Sequence, residues 1–258
     1  MSYFKLPIVF LSEMVSGKAD TTNEYIASWL LRNKEDIKDC SLRELAARMN
    51  TSASSLSRFC RDIGLHDFNE LKELSTINDT QFLKQSSCQT PESQKDSTLR
   101  AVVDGVTQAC RSLDMDKIVQ LARDIDQYER VAAFGVGKAE GVAMNLQIDL
   151  IAQGKYAVTK LPFSEQISYI ESANENDLII IFSFTGVYFN YGFPDFSGHP
   201  RLKKPKIYFI TSDRKAAAAG KFDEVILFDS DQNYASHPYQ LQIIADIISQ
   251  QYVDIRAK

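Results

Sequence analysis

Residues 41–71, SLRELAARMNTSASSLSRFCRDIGLHDFNEL, carry two short amphipathic helical patterns separated by a tight polar turn. In the first, Leu42, Leu45, Ala46 and Met49 follow the i, i+3, i+4, i+7 spacing of one buried stripe, and Leu56, Phe59, Cys60 and Ile63 repeat it in the second. Ser41 with Glu44 forms a capping-box pattern, and Asn50, Thr51 and Ser52 supply turn and N-cap chemistry between the helices. The spacing predicts a helix-turn-helix. Burial of the second stripe leaves Ser54, Ser55, Ser57, Arg58 and Arg61 on the free face. Short hydroxyls let a helix sink into the major groove of duplex DNA, and arginines reach phosphates or guanine edges. Arg43 and the cap residue Ser52 complete the candidate DNA-contacting set. An ordinary helical hairpin would have a similar stripe, but its solvated face would carry Glu and Lys, the stronger helix formers. A surface rich in serine gives up helix propensity, and such a local conflict marks a functional surface.

The same residues carry a family resemblance. The run Leu42-Arg43-Glu44-Leu45-Ala46, then Leu56 to Leu65 with its Arg58-Phe59-Cys60 core, then Phe68 and Glu70-Leu71-Lys72, resembles the N-terminal domain of RpiR-type transcriptional regulators. Thr51 departs from it mildly, where the family has an aliphatic residue.

The 258 residues suffice for one large domain or two small ones, and 44% hydrophobic with 24% charged residues is ordinary for a soluble globular chain. No apolar run reaches the ~18 residues of a membrane span, and the first eleven residues lack the features of a secretory signal. Cys40, Cys60, Cys88 and Cys110 form no CxxC pair and no cluster with histidine, so neither a metal nor a cofactor is expected, and the expected location is cytoplasmic. Net charge is −5 and the pI near 5.3. That balance argues against indiscriminate nucleic-acid binding and leaves room for a specific reader with a local cluster formed by Arg43, Arg48, Arg58 and Arg61. The thin excess of positive charge predicts a homodimer engaging two half-sites, with Leu99 to Cys110 and the region of Ile243, Ile247 and Ile248 as candidate interfaces.

The division expected is a helix-turn-helix domain over 1–78, a linker over 79–98 and an α/β domain over 99–258. Upstream of the quoted stretch, a helix starting at Thr22 or Asn23 would bury Tyr25, Ile26, Trp29 and Leu30. Gln81 to Thr98 has almost no apolar face, which reads as linker. From Glu129 onward strands and helices alternate. Arg130 to Phe134, Tyr156 to Thr159, Asp177 to Ser183, Lys206 to Thr211 and Glu224 to Phe228 are strand candidates, and Leu241 to Val253 closes with a helix. Such alternation predicts a doubly wound parallel sheet, so the fold class expected is α/β behind an all-α N-terminal domain.

Ligands of such sheets sit beyond the carboxyl ends of the strands at the switch point. The loops placed there are Gly135-Val136-Gly137-Lys138-Ala139-Glu140-Gly141 and Ser183-Phe184-Thr185-Gly186. Glycines permit close backbone approach, helix N-termini donate N–H groups to an anion, and hydroxyls add donors. The second strand ends Val158-Thr159-Lys160 without the acidic residue a dinucleotide fingerprint requires, which argues against a Rossmann oxidoreductase.

Together the two loops resemble the sugar isomerase (SIS) domain that follows the helix-turn-helix in RpiR-type regulators, over about Glu129 to Val253. The resemblance implies phosphosugar binding through a serine after the first glycine pair and a Ser-x-Ser-Gly-x-Thr loop. This chain keeps Ser183 and Gly186 and substitutes Thr185, but has Ala139 and Tyr188 at the other two hydroxyl positions. Gly135, Gly137, Lys138, Ser183, Thr185, Gly186 and Tyr188 are therefore the candidate effector-binding residues, with a phosphorylated sugar bound weakly or not at all. Tyr188 to Lys204 is too rich in proline and glycine for a normal helix, and its aromatics would cap the sheet or line a pocket, capping being favoured. The leading reading is a transcriptional regulator that binds double-stranded DNA, with no catalytic residue and no membrane partner. A phosphosugar isomerase or lyase would need an acid or base from Glu165, His237 or His199, of which Glu165 and His237 are expected to face solvent. A regulator whose SIS fold serves only dimerisation is the third reading.

Overall fold

The computed structural model describes residues 9–11, 14, 21–75, 90–190, 193, 204–231, 233 and 235–257. These fall into two compact units, one drawn from 1–79, 160–171 and 188–194, the other from 80–159, 172–187 and 195–258.

The first unit holds helices α1 (Thr22–Arg32), α2 (Lys34–Asp39), α3 (Leu42–Arg48), α4 (Ala53–Asp62) and α5 (Phe68–Ser75). The Thr21 hydroxyl caps α1, accepting from Glu24 N–H at 3.1 Å, and the helix starts at Thr22, one of the two expected positions. Ile26, Ala27 and Leu30 form its buried face. Tyr25, expected in that core, is 47% exposed, because its hydroxyl reaches across to donate to the Met49 carbonyl at 2.8 Å. Trp29 is half-buried. The aromatic positions of α1 thus serve its rim, and its aliphatic positions serve the core.

Downstream come α6 (Pro91–Ser112), α7 (Met115–Gln127), β1 (Arg130–Gly135), α8 (Lys138–Ala152), β2 (Ala157–Val158), α9 (Phe163–Ser172), β3 (Asp177–Phe182), β4 (Lys206–Thr211), α10 (Arg214–Ala217), β5 (Glu224–Leu227) and α11 (His237–Arg256). All strand pairs are parallel, in the order β2-β1-β3-β4-β5. This is a doubly wound order whose switch point falls between β1 and β3. Every residue of β3 is buried, as a strand covered on both faces requires. Leu178, Ile180 and Phe182 join one core with Val131 and Ala133 of β1, Leu146 and Leu150 of α8, and Leu241, Ile244 and Ile248 of α11.

Two boundaries depart from the sequence reading. Helix α6 begins at Pro91, inside the stretch read as linker, because Thr90 and Ser93 make a reciprocal capping box and proline suits the first helical turn. Its first turns are solvent-exposed, which agrees with their lack of apolar residues. Residues 76–89, which include the rest of that stretch apart from the cap residue, lie outside the described residues. Helix α11 begins at His237, four residues before the expected Leu241, with Pro238 in its first turn. Among the described residues no helix is long and apolar enough to cross a membrane.

Candidate nucleic-acid interface and ligand crevice

The helix pair α3–α4 is fixed by its caps. Ser41 N–H donates to Glu44 at 2.8 Å, while the Ser41 hydroxyl accepts from Glu44 N–H at 3.3 Å. Those donors from Ser41 hold the Glu44 carboxyl below the usual carboxylate range. At the other end of α3, Asn50 takes φ +50°, Thr51 N–H reaches Ala46 at 2.9 Å and Asn50 N–H reaches Ala47 at 3.0 Å. This is the Schellman arrangement with asparagine in the left-handed position. Ser52 then caps α4, accepting from Ser55 N–H at 3.0 Å. Gly64, at φ +81°, ends α4 in the same way, with Leu65 N–H to Cys60 at 2.8 Å. Cys60 is buried, and burial pushes its thiol up to about 12, so it acts as a small core hydrophobe.

Leu56, Phe59, Cys60 and Ile63 face the interior, as their spacing requires. Ser54, Arg58 and Arg61 are exposed along one i, i+4, i+7 seam of α4. Ser55 and Ser57 are half-buried, and the Ser55 hydroxyl lies 2.9 Å from that of Ser52, within the cap. Arg43 is exposed on α3. Arg48, counted above as part of the positive cluster, is paired with Asp36 at 2.8 Å. Of the four exposed arginines in this cluster, Arg43, Arg58 and Arg61 are the ones not held in an ion pair with Asp36.

A cleft of about 710 Å³ opens between α1 and the turn, lined by Thr21, Tyr25, Trp29, Arg32, Asn50 and Thr51. Its signal lay in α1 itself, where Tyr25 and Arg32 are polar positions one helix face apart from the buried Ile26 and Leu30.

In the α/β unit the two loops singled out by sequence emerge side by side, since Gly135 of β1 is in register with Phe182 of β3. A Cβ on Gly135 would stand 2.6 Å from the Ala139 carbonyl oxygen, so only glycine lets α8 begin so close to the strand. Gly137 caps α8 at φ +62° without a side-chain donor, and Lys138 is exposed at the first helical position. Ser183 is buried, and its N–H donates to Ile210 at 3.1 Å. The Phe184 carbonyl accepts from the Thr211 hydroxyl at 3.1 Å and the Ser212 hydroxyl at 2.9 Å. Thr185 is half-buried, and Gly186 takes φ +71° against α10, where a Cβ would come within 2.1 Å of Ala216 Cβ.

Two sequence expectations change at this crevice. His237 does not lie in a solvent-facing loop. It is the first residue of α11, half-buried and stacked on Phe184 with centroids 4.1 Å apart, and burial with the nearby Lys138 charge holds its pKa down to about 3. Glu140, which periodicity did not mark, has its carboxyl raised to about 7 by burial, opposed by a hydrogen bond from Gly137. Tyr188 groups with the first unit, completely buried, its hydroxyl bonded to Gln166 at 2.9 Å. Edge-to-face contacts with Phe163, Phe189 and Phe193 surround it, so the described aromatics of this segment pack together. Tyr188 thus does not supply the missing loop hydroxyl. Glu165 is exposed and pairs with Lys160 at 3.4 Å. Tyr191, Phe196 and His199 lie outside the described residues.

Residues 13–78 match the model of the helix-turn-helix domain, rpiR family. An uncharacterized HTH-type transcriptional regulator of Providencia stuartii is 24% identical over 181 residues, covering 67% of this chain and 64% of that protein. The chain thus spans just under two thirds of that relative's length. Among solved structures, Vibrio vulnificus NanR complexed with ManNAc-6P superposes with a TM-score of 0.55 at 16% identity, covering 98% of this chain and 92% of NanR. The sugar isomerase domain of an RpiR transcription factor from Sphaerobacter thermophilus gives 0.50 at 13% identity, over 63% of this chain and 91% of that one. Residues 13–78 are therefore an rpiR-family helix-turn-helix domain, and the parallel-sheet unit has the sugar-isomerase-domain fold.

Proposed function

We propose that this chain, with an rpiR-family helix-turn-helix ahead of a sugar-isomerase fold, is a cytoplasmic DNA-binding regulator of transcription. The observation that carries the reading is the seam Ser54, Arg58 and Arg61 on α4, exposed on a helix whose opposite face is fully buried. Residues 1–78 serve as the DNA reader and 99–258 as the ligand-sensing and dimerising part. Small residues at the start of α4 allow close approach to base edges, and the two arginines supply bidentate or phosphate contacts. Arg43 adds a backbone contact from α3. The relatives' naming as HTH-type regulators supports the same reading.

The effector is a phosphorylated sugar or a related anion, held where the Gly135–Gly137–Lys138 loop meets Ser183, Thr185 and Gly186. Support comes from the register of β1 with β3 and from the fold shared with NanR, whose structure holds ManNAc-6P. The regulator reading is favoured over an isomerase because Ala139 and Tyr188 replace two hydroxyl donors and Glu165 is an exposed, paired carboxylate. Gel-shift titration of the full chain against fragments of its own promoter region tests the proposal. Saturable, sequence-dependent retardation lost in the Arg58→Ala/Arg61→Ala variant is the outcome expected. Equal affinity for all sequences, or isomerase turnover of a phosphosugar, would overturn it.

A further inference from the structure

Helix α1 buries Ile26, Ala27 and Leu30 on one face. Thr21, Tyr25, Ser28, Trp29 and Arg32, at i, i+4, i+7, i+8 and i+11, form another face about 16 Å long, and this face walls the cleft beside the turn. A merely solvated face would carry Glu and Lys, whereas Thr, Tyr, Ser and Trp give up helix propensity. The Ser28 and Thr51 hydroxyls, the Trp29 indole N–H and the Arg32 guanidinium line the cleft and make no hydrogen bond or ion pair among the described residues. Tyr25, whose hydroxyl donates to the Met49 carbonyl at 2.8 Å, pins α1 to the end of α3. On the far wall Thr51 immediately precedes Ser52, the cap of α4. The cleft therefore opens beside the N-terminus of the helix whose exposed seam carries Arg58 and Arg61.

Hydroxyls, ring donors and a single guanidinium are the groups that meet phosphate and sugar, and their arrangement here offers no base-specific pattern. We propose that this cleft seats the sugar-phosphate backbone of the DNA strand bordering the groove that α4 reads. Arg32 neutralises one phosphate, the Ser28 and Thr51 hydroxyls and the indole N–H donate to phosphate oxygens, and the Trp29 ring covers the deoxyribose. Glu24, the one acid among the described lining residues, stands eight residues from Arg32, about 12 Å along the helix axis, so the phosphate lies at the Arg32 end. Such a contact carries no sequence information and fixes the register at which α4 enters the groove. The inference rests on the regulator reading and adds to it a second surface, on a helix outside the helix-turn-helix pair.

Trp29 is the only tryptophan of the chain, so its fluorescence reports on this cleft alone. The test titrates the full chain with a duplex that it retards in the gel shift. Quenching of Trp29 by acrylamide, which is uncharged and indifferent to the DNA field, should fall by roughly half once the strand covers the ring. Arg32→Ala, with circular dichroism unchanged, should weaken all duplexes alike and lower the salt slope by about one, leaving the preference among sequences intact. Trp29 as open to acrylamide on saturating duplex as in the free chain would overturn the inference while leaving the regulator reading standing. So would an Arg32→Ala variant with the wild-type salt slope, or one that loses sequence preference. A chain that retards no duplex would fail the regulator reading itself and this inference with it.

Discussion

His237 lies against Phe184, ring centroids 4.1 Å apart and planes inclined at 33°, which ties the first turn of α11 to the loop after β3. The contact joins elements more than fifty residues apart and keeps the imidazole neutral. With Lys138 close enough to disfavour its charge and Glu140 in the first turn of α8, it places opposed titrations at one crevice.

Those titrations have calculable signs. His237 has a folded pKa of about 3, below its unfolded value near 6.5, so the unfolded chain binds the extra proton. Its contribution to stability is present above pH 6.5 and is lost as pH falls toward 3. Glu140 is raised to about 7, above its unfolded value, so its contribution is present at acid pH and lost as pH rises through 7. Thermal melts from pH 5 to 8 should show Glu140→Gln removing the fall in stability between about pH 4.5 and 7 and His237→Phe softening the acid limb. Each change is expected to be roughly 2–4 °C, as about 1 kcal/mol gives in a chain of this size. Melting curves parallel to wild type in both variants would contradict the assignment.

Arg58→Ala should weaken operator binding by about 1–3 kcal/mol if the guanidinium meets a base edge, with relaxed sequence preference at that position. Arg61→Ala, if it meets phosphate, should weaken all sequences alike and lower the salt slope by about one. Arg48→Ala should leave DNA affinity near wild type, because Asp36 already holds that side chain. Fluorescence titration at two salt concentrations separates these outcomes.

Gly186→Ala should destabilise the α/β unit on two counts. The backbone sits at φ +71°, which costs an L-residue about 1–2 kcal/mol, and the new methyl would overlap Ala216 Cβ, adding roughly 1–3 kcal/mol. Gly141→Ala, in open space, should instead stabilise the isolated unit. Urea denaturation of the two variants should therefore move in opposite directions.

Hexose phosphates should bind weakly or not at all. Each missing charge-assisted donor removes about 1.5–3 kcal/mol, and Ala139 and the inward-facing Tyr188 supply none, so affinity falls by roughly two orders of magnitude or more. Calorimetry decides: a micromolar dissociation constant abolished by Ser183→Ala would show that backbone donors alone suffice.

The helix-turn-helix was legible because its signals are local. Ser41, Glu44, Asn50, Ser52 and Gly64 act within one turn of their own helices, and the burial of Leu56, Phe59 and Cys60 follows from a 3.6-residue period. The strands β1, β3 and β4 were legible for the same reason, as short apolar runs between turn residues, and their parallel order placed the two loops together. The linker boundary was not, since a helix start with no apolar face rests on the Thr90–Ser93 cap alone. What periodicity could not decide were contacts made across the fold. Tyr25 left its core for the Met49 carbonyl, Tyr188 turned to Gln166, and His237 was drawn from solvent onto Phe184. In each case the partner lies twenty or more residues away, and the energy of satisfying a hydroxyl or covering a ring outweighs the position's place in its own helix. The apolar outer face of α8 belongs to the same class, since only the tertiary structure leaves Met144, Ile148 and Ile151 uncovered.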